Sequence, residues 1–278
     1  MNVSLTTQIK NELNQLGIKP KKSLGQNFLI NEGVYHKIVA TLELGPNDTV
    51  VEVWPGLGTL TQYLATSGAK IIAVEKDHQL VEHLKTKFAN EKRVKIIEED
   101  ILKFNPANYQ LQTTHYKLVG NIPYYLTSHL LRTVFEKWPQ PELIVLMLQK
   151  EVAQRICAKP PEMSLLAVSI QYYAQPKIIS YVSHGSFYPP PEVDSAIIKL
   201  DPKYKILNTK NDQEFFKIVK AGFAGKRKQL GNNLSRGLNL EKNLVEEKLK
   251  LIGIDPKRRA ETLTLLEWQN IATTLLPH

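Results

Sequence analysis

Between residues 49 and 156 the sequence alternates short apolar runs with longer amphipathic stretches. TVVEV (49–53) has the composition of a buried strand, and HQLVEHLKTKF (78–88) has apolar residues at helical spacing. Strands that alternate with helices in this way form a mostly parallel sheet with helices on both faces. In such a sheet, ligands bind at the carboxyl ends of the strands. The alternation therefore predicts an α/β fold with its site at that edge.

Both ends of the chain depart from this alternation. Residues 1–18 have leucine and isoleucine side chains at helical spacing, which predicts one amphipathic helix. After Leu200 the pattern becomes helical throughout, so we expect a domain boundary at 200–206. We therefore predict a first domain over residues 1–202 and a small helical domain over 203–278.

The positive charge of the chain is concentrated near its C-terminus. The formal net charge is +9, and residues 201–278 hold fifteen Lys and Arg against nine Asp and Glu. Such a basic domain favours an anionic macromolecule as partner, although a basic surface also serves solubility. No apolar run approaches the roughly 20 residues of a membrane span. The single cysteine, Cys157, excludes an intramolecular disulfide and a multi-cysteine zinc site. We expect a cytoplasmic monomer without a bound metal.

A glycine-containing turn and two carboxylates point to a nucleoside ligand. The segment EVWPGLG (52–58) leaves a strand and opens a helix, and its two glycines allow a ligand close to the backbone. Glu75 and Asp100 end the next two strands, where they can accept hydrogen bonds from a ribose and an adenine amine. Alternatively, Glu75 is a solvated strand end and Asp100 a helix cap. A dinucleotide-binding dehydrogenase is a rival interpretation, but its G-x-G-x-x-G pattern is missing.

A second motif, Asn121-Ile122-Pro123-Tyr124, follows the fourth strand and suits an amine substrate. The N6 amine of adenine is a weak nucleophile because its lone pair is delocalised into the ring. The side-chain oxygen of Asn121 and the carbonyl of Ile122 can accept its two hydrogens and favour the reactive geometry. Pro123 fixes the turn, and Tyr124 can stack on the base. The alternative is a plain Asn-Pro loop with a buried tyrosine.

Eight segments spread over the chain match one family. They are SLGQNFL (23–29), EVWPGLGTLT (52–61), AVEKD (73–77), EED (98–100), NIPYYLTS (121–128), MLQKEVAQRI (147–156), FYPPPEVDSAI (187–197) and FFKIVKAGFAGKRKQLGNNL (215–234). With them, the chain resembles the ribosomal RNA adenine dimethyltransferases of the KsgA/Dim1 type. The resemblance implies a Rossmann-like methyltransferase domain, a helical RNA-binding domain and S-adenosylmethionine as cofactor. The implied substrate is two adjacent adenosines near the 3′ end of small-subunit ribosomal RNA, within an assembling subunit.

The resemblance also implies roles for single residues. The implied cofactor contacts are Asn27, Leu29, Trp54, Gly56, Gly58, Glu75, Asp100 and Asn121. The implied catalytic group for the flipped base is Asn121, Ile122, Pro123, Tyr124 and Phe187. In this group Phe187 is the second stacking ring, unless it only anchors its proline-rich loop. The implied RNA contacts are Lys226, Arg227 and Lys228, for which a solvated helix face is the alternative.

The chain departs from the family pattern most clearly at Trp54. A tryptophan stands where the E-x-G-x-G-x-G turn has its first glycine, so it can obstruct the cofactor or line its site. Lesser departures are His129, where relatives often have proline, and the shortened AKPPEMSLLAV stretch (158–168).

Two other functions compete with small-subunit RNA dimethylation. One is adenine N6-methylation of large-subunit ribosomal RNA, which confers antibiotic resistance and uses the same N-I-P-Y motif. Enzymes of that type typically lack a segment like residues 223–230. The other is an RNA-binding ribosome-assembly factor in which Trp54 impairs cofactor binding.

Overall fold

The computed structural model of the chain describes residues 4–20, 26–111, 116–122, 126–203 and 209–275, with the backbone alone for 209–211. Its main feature is a seven-stranded sheet of order β4-β3-β2-β5-β6-β9-β7. In chain order, the strands are β1 (Phe28–Leu29), β2 (Thr49–Val53), β3 (Lys70–Glu75), β4 (Val94–Glu98), β5 (Tyr116–Asn121), β6 (Leu143–Gln149), β7 (Ala174–Val182), β8 (Phe187–Tyr188) and β9 (Ser195–Pro202). Strands β2 to β6 pair in parallel, β9 is antiparallel to β6, and β1 pairs with β8 in a separate ribbon. The predicted, mostly parallel α/β sheet is confirmed.

Helices connect and follow these strands. They are α1 (Leu5–Gln15), α2 (Glu32–Leu42), α3 (Thr59–Ala65), α4 (His78–Lys87), α5 (Thr127–Lys137), α6 (Lys150–Ile156), α7 (Leu165–Tyr173), α8 (Thr209–Gly222), α9 (Leu230–Leu238), α10 (Lys242–Leu251) and α11 (Leu265–Leu275). The predicted N-terminal helix is shorter than 1–18 because the chain turns at Gly17, where φ is 62°. In the described part of the chain, no helix is long and apolar enough to cross a membrane.

The chain divides into two compact units. The first unit comprises residues 1–153 and 177–202, and the second comprises 154–176 and 203–278. Residues 154–176 were predicted to belong to the first domain, so the structure differs there. The reason is that α7 buries its apolar face in the core of the second unit, as the next contacts show.

Tyr172 of α7 illustrates this assignment. Its ring stacks on Phe215 of α8 with the ring centroids 4.2 Å apart. Its hydroxyl donates a hydrogen bond of 2.6 Å to Asp212. Both aromatic rings belong to a buried cluster that includes Trp268 of α11. The predicted capping box is also present in this unit, since Thr264 and Glu267 bond each other's backbone NH groups at 2.7 and 3.2 Å.

Candidate active site

The turn between β2 and α3 has an unusual backbone. Trp54, Gly56 and Gly58 have φ angles of 54°, 60° and 76°, all in the left-handed region. Glycine enters this region freely, whereas an L-residue with a side chain is strained there by roughly 1–2 kcal/mol. Trp54 is held in place because its NH donates to the carbonyl of Val74 at 3.1 Å. The turn therefore requires at residue 54 the conformation that a glycine adopts most easily.

A cavity of about 510 Å³ lies beside this turn, within the first unit. Six of the eight predicted cofactor contacts line it, namely Asn27, Leu29, Trp54, Glu75, Asp100 and Asn121. Gly56 and Gly58 belong to the same turn but do not line the cavity, whereas their neighbours Pro55 and Leu57 do. Because β2, β3, β4 and β5 are parallel, their carboxyl ends bring these side chains to one edge of the sheet.

Gly56 and Gly58 shape the turn in different ways. The NH of Gly56 donates to Oε2 of Glu75 at 3.3 Å. At Gly58, an added Cβ would lie 2.7 Å from side-chain atoms of both Leu84 and Phe88, so only glycine lets the turn pack against α4. Their predicted importance is therefore matched by a packing role and a hydrogen bond, with no direct exposure to the cavity.

Glu75 is a buried carboxylate at the end of β3, only 4% exposed. Its Oε1 accepts the NH groups of Lys76 and Asp77 at 2.8 and 3.0 Å, besides the bond from Gly56 to Oε2. Burial raises the pKa of Glu75, and these backbone hydrogen bonds oppose that shift. The bonds hold the carboxylate in one orientation, as an acceptor for ligand hydroxyl groups requires.

Asp100 follows β4 and is half-buried at the cavity. Burial alone would raise its pKa, but hydrogen bonds from Lys76 Nζ at 3.0 Å and from the NH of Leu102 at 3.1 Å outweigh burial. The pKa of Asp100 is therefore lowered, and the group stays an ionised acceptor at neutral pH.

Glu52 was not singled out in the sequence, yet it lines the same cavity from inside β2. It is 1% exposed, and its Oε2 accepts a 2.6 Å hydrogen bond from Thr61. Within the described residues its Oε1 has no hydrogen-bond partner. Burial raises the pKa of Glu52 to about 8, although the bond from Thr61 lowers it and Glu75 raises it further. The available signal was a single acidic residue inside an apolar strand, since buried carboxyl groups are rare without a function.

Asn121 ends β5 at the edge of the cavity. Its Nδ2 donates to the carbonyl of Asn27 at 3.2 Å, which fixes the orientation of the amide. The next residue, Ile122, is buried, and its NH donates to the carbonyl of Met147 at 3.3 Å. The other two residues of the motif, Pro123 and Tyr124, lie outside the described residues.

Phe187 differs from its predicted position in the base-binding group. It is 3% exposed and packs in the core near Leu29, its partner in the β1–β8 ribbon. It does not line the cavity. This burial favours the alternative in which Phe187 anchors the proline-rich loop, and stacking on a base stays a prediction.

The three predicted RNA contacts lie in the second unit. Lys226, Arg227 and Lys228 are exposed in the turn between α8 and α9. Buried Asn233 holds this turn, because its Nδ2 donates to the carbonyls of Gly222 and Gly225 at 2.7 and 3.0 Å. Three cations are thus presented together on a fixed backbone.

Comparison with known proteins gives a consistent match over this whole arrangement. Residues 17–276 match the family described as ribosomal RNA adenine dimethylase. A ribosomal RNA small subunit methyltransferase A from Dehalococcoides mccartyi is 46% identical over 96% of this chain and 92% of that protein. Another, from Bacillus cytotoxicus, is 38% identical over 100% of this chain and 98% of that protein.

Solved structures agree on the fold. The 23S rRNA methyltransferase ErmE superposes with a TM-score of 0.73 at 25% identity, covering 90% of this chain and 99% of that one. A dimethyladenosine transferase from Plasmodium falciparum superposes with a TM-score of 0.75 at 24% identity, covering 88% and 95% of the two chains. The Rossmann-like methyltransferase fold expected from the sequence is confirmed.

Proposed function

Because the chain belongs to the ribosomal RNA adenine dimethylase family, we propose that it dimethylates N6 of two adjacent adenosines near the 3′ end of small-subunit ribosomal RNA. S-adenosylmethionine is the methyl donor of the family. The observation that carries this proposal is the match over residues 17–276, joined to a cavity that has Asn121 at its edge. Relatives named for the small subunit cover nearly the whole chain, which favours that subunit over the large one.

The cavity suits S-adenosylmethionine in size and in chemistry. Its volume of about 510 Å³ lies within the ordinary range of small-molecule sites. Glu52 offers a buried oxygen without a partner, which a cationic ligand with NH groups would satisfy. Glu75 would accept the ribose hydroxyls and Asp100 the adenine amine. When bound, the cofactor supplies a methyl group on a positively charged sulfur.

Asn121 and Ile122 position the amine that receives this methyl group. The bond from Asn121 Nδ2 to Asn27 leaves the amide oriented with Oδ1 as the acceptor for one N6 hydrogen. The carbonyl of Ile122 accepts the other hydrogen. Together they draw the nitrogen lone pair out of the ring, and the amine loses its proton after the new bond has formed. Catalysis is then mainly positioning and electrostatics, without a strong base.

The remaining roles are assigned to RNA binding. Tyr124 stacks on the flipped adenine, and the cations Lys226, Arg227 and Lys228 contact phosphates. We place the reaction on an assembling small subunit in the cytoplasm, with the enzyme acting as a monomer.

One observation favours a second candidate function. Trp54 has a strained backbone and lines the cavity, so a chain that binds RNA in ribosome assembly with weakened cofactor binding is the rival.

A methyl-transfer assay decides between these candidates. Unmethylated small and large ribosomal subunits are incubated separately with S-adenosylmethionine tritiated in its methyl group, and the RNA is digested to nucleosides. We expect labelled N6,N6-dimethyladenosine from the small subunit alone. Label in the large subunit would favour the antibiotic-resistance activity, and binding of small subunits without label would favour the assembly factor.

A further inference from the structure

The N-terminal helix α1 has no assigned role, and the family match begins only after it, at residue 17. We propose that α1 clasps the cofactor cavity from behind, with Glu12 as a positioning residue that holds the turn at residues 55–58 through Lys87. The inference rests on the proposed function, because it takes this cavity as the site of S-adenosylmethionine.

The clasp is a chain of two polar contacts. Glu12 Oε1 accepts a 2.8 Å hydrogen bond from Lys87 Nζ of α4, and the same Nζ donates to the carbonyl of Leu57 at 2.8 Å. His83 Nε2 lies 2.8 Å from the same oxygen of Glu12. The side chains of Glu12 and Lys87 are only 23% and 24% exposed, so these charges are partly shielded from water. Contacts of this kind hold geometry better than exposed ion pairs do.

Apolar packing reinforces the polar contacts. Ile9 and Leu13 of α1 are buried, and they form one cluster with Leu57 and Leu80. Leu57 and Leu80 line the cavity, whereas none of the residues 5–15 does. Helix α1 therefore supports the wall of the cavity from its outer side.

Two further contacts join α1 to neighbouring elements of the first unit. Gln79 Nε2 of α4 donates to the carbonyl of Leu16 at 2.7 Å. Lys10 Nζ lies 4.7 Å from the ring centre of Tyr188, which pairs with the cavity residue Phe28. The helix thus contacts the turn, α4 and the β1–β8 ribbon, all of which border the cavity.

Support matters at this turn because its conformation is strained at Trp54. A strained segment persists only where its surroundings hold it, and small displacements in a binding site weaken binding strongly. Loss of the Glu12 charge frees Lys87 from α1 and loosens its hold on the carbonyl of Leu57. The expected consequence is a lower affinity for the cofactor, with RNA binding and the second unit unaffected.

The variant Glu12→Gln tests the clasp in the full-length chain. S-adenosylhomocysteine is the probe, because its binding needs no turnover and calorimetry measures it directly. We expect Glu12→Gln and Lys87→Met each to raise its Kd about tenfold, and the double variant to raise it no further than Lys87→Met alone. Asn11→Ala, an exposed change on the same helix, is the matched control and should leave Kd within twofold. Affinity for small ribosomal subunits should stay at the parental value in all four proteins.

Hydrogen exchange on the parental protein tests the same coupling without any substitution. If α1 supports the cavity, binding and clasp stabilise each other, so saturating S-adenosylhomocysteine should slow exchange at the amides of residues 8–15. Unchanged exchange there, together with parental Kd values in Glu12→Gln, would overturn the clasp. A fall in subunit affinity parallel to the loss of probe affinity would also overturn it, because it indicates general destabilisation. Failure of the parental protein to bind the probe at all would instead overturn the proposed function and the clasp with it.

Discussion

Trp54 holds a backbone conformation that costs a side-chain-bearing residue free energy, and its indole lines the cavity. We expect Trp54→Gly to strengthen binding of S-adenosylmethionine by about tenfold and to raise methyl transfer. The glycine relieves strain of about 1–3 kcal/mol and vacates space beside the ligand. An attraction between the indole and the sulfonium, worth about 0.5–2 kcal/mol, acts in the opposite direction. Calorimetry on the two proteins decides: weaker binding in Trp54→Gly would make the indole a genuine part of the pocket.

Asn121 acts on the reacting amine, so its loss should affect the chemical step and spare RNA binding. We expect Asn121→Ala to lose at least a hundredfold in methyl-transfer rate while its affinity for small subunits changes less than twofold. Single-turnover rates and subunit binding are measured in parallel. A variant with near-parental rates would contradict the role given to the amide.

Glu52 makes the stability of the chain depend on pH. Burial raises its pKa from 4.5 to about 8 in the folded state. A raised folded pKa means that the neutral form stabilises the fold, and this contribution is lost as pH rises from about 4.5 through 8. Glu52→Gln stays neutral, so its thermal midpoint should gain on the parental one over this window and level off above it. Melting curves that stay parallel from pH 5 to 9 would show that Glu52 ionises freely.

At the scale of elements, the strands were predictable and some of their neighbours were not. The runs that form β2 to β6 are apolar because they are buried between layers, and that composition is visible in the sequence. Helix α7 is equally apolar, but its sequence does not say which core it joins. The same limit applies to the site: Glu75, Asp100 and Asn121 end predicted strands, whereas the burial of Phe187 depends on the pairing of β8 with distant β1.

Gly58 connects the turn to α4, and its prediction belongs to that junction. Gly58→Ala should lower the thermal midpoint and weaken cofactor binding, because the new Cβ would lie 2.7 Å from Leu84 and Phe88. Gly17→Ala is the matched control, since Gly17 also has a positive φ but no atom within 4 Å of the added Cβ. The difference between the two midpoints isolates the clash from the backbone strain. Equal midpoints would show that the side chains of α4 move aside without cost.

At the scale of the whole molecule, the cavity and the basic turn lie in different compact units. This division allows the two kinds of binding to be altered separately. Substitutions in the second unit should therefore change RNA affinity while the affinity for S-adenosylhomocysteine stays parental. Sequence reasoning reached the two-domain plan because the change of pattern after Leu200 is abrupt.

The basic turn supplies the test of this division. Replacing Lys226, Arg227 and Lys228 by Gln should weaken binding to small subunits and flatten its dependence on salt. Each lost phosphate contact releases fewer counterions and reduces the log–log slope by roughly 0.7–0.9. The control replaces Lys217, Lys250 and Lys257, three other exposed lysines of the same unit, and removes the same charge. If both triple variants flatten the slope equally, the turn acts only through overall charge; a larger effect at 226–228 identifies it as a local phosphate-binding site.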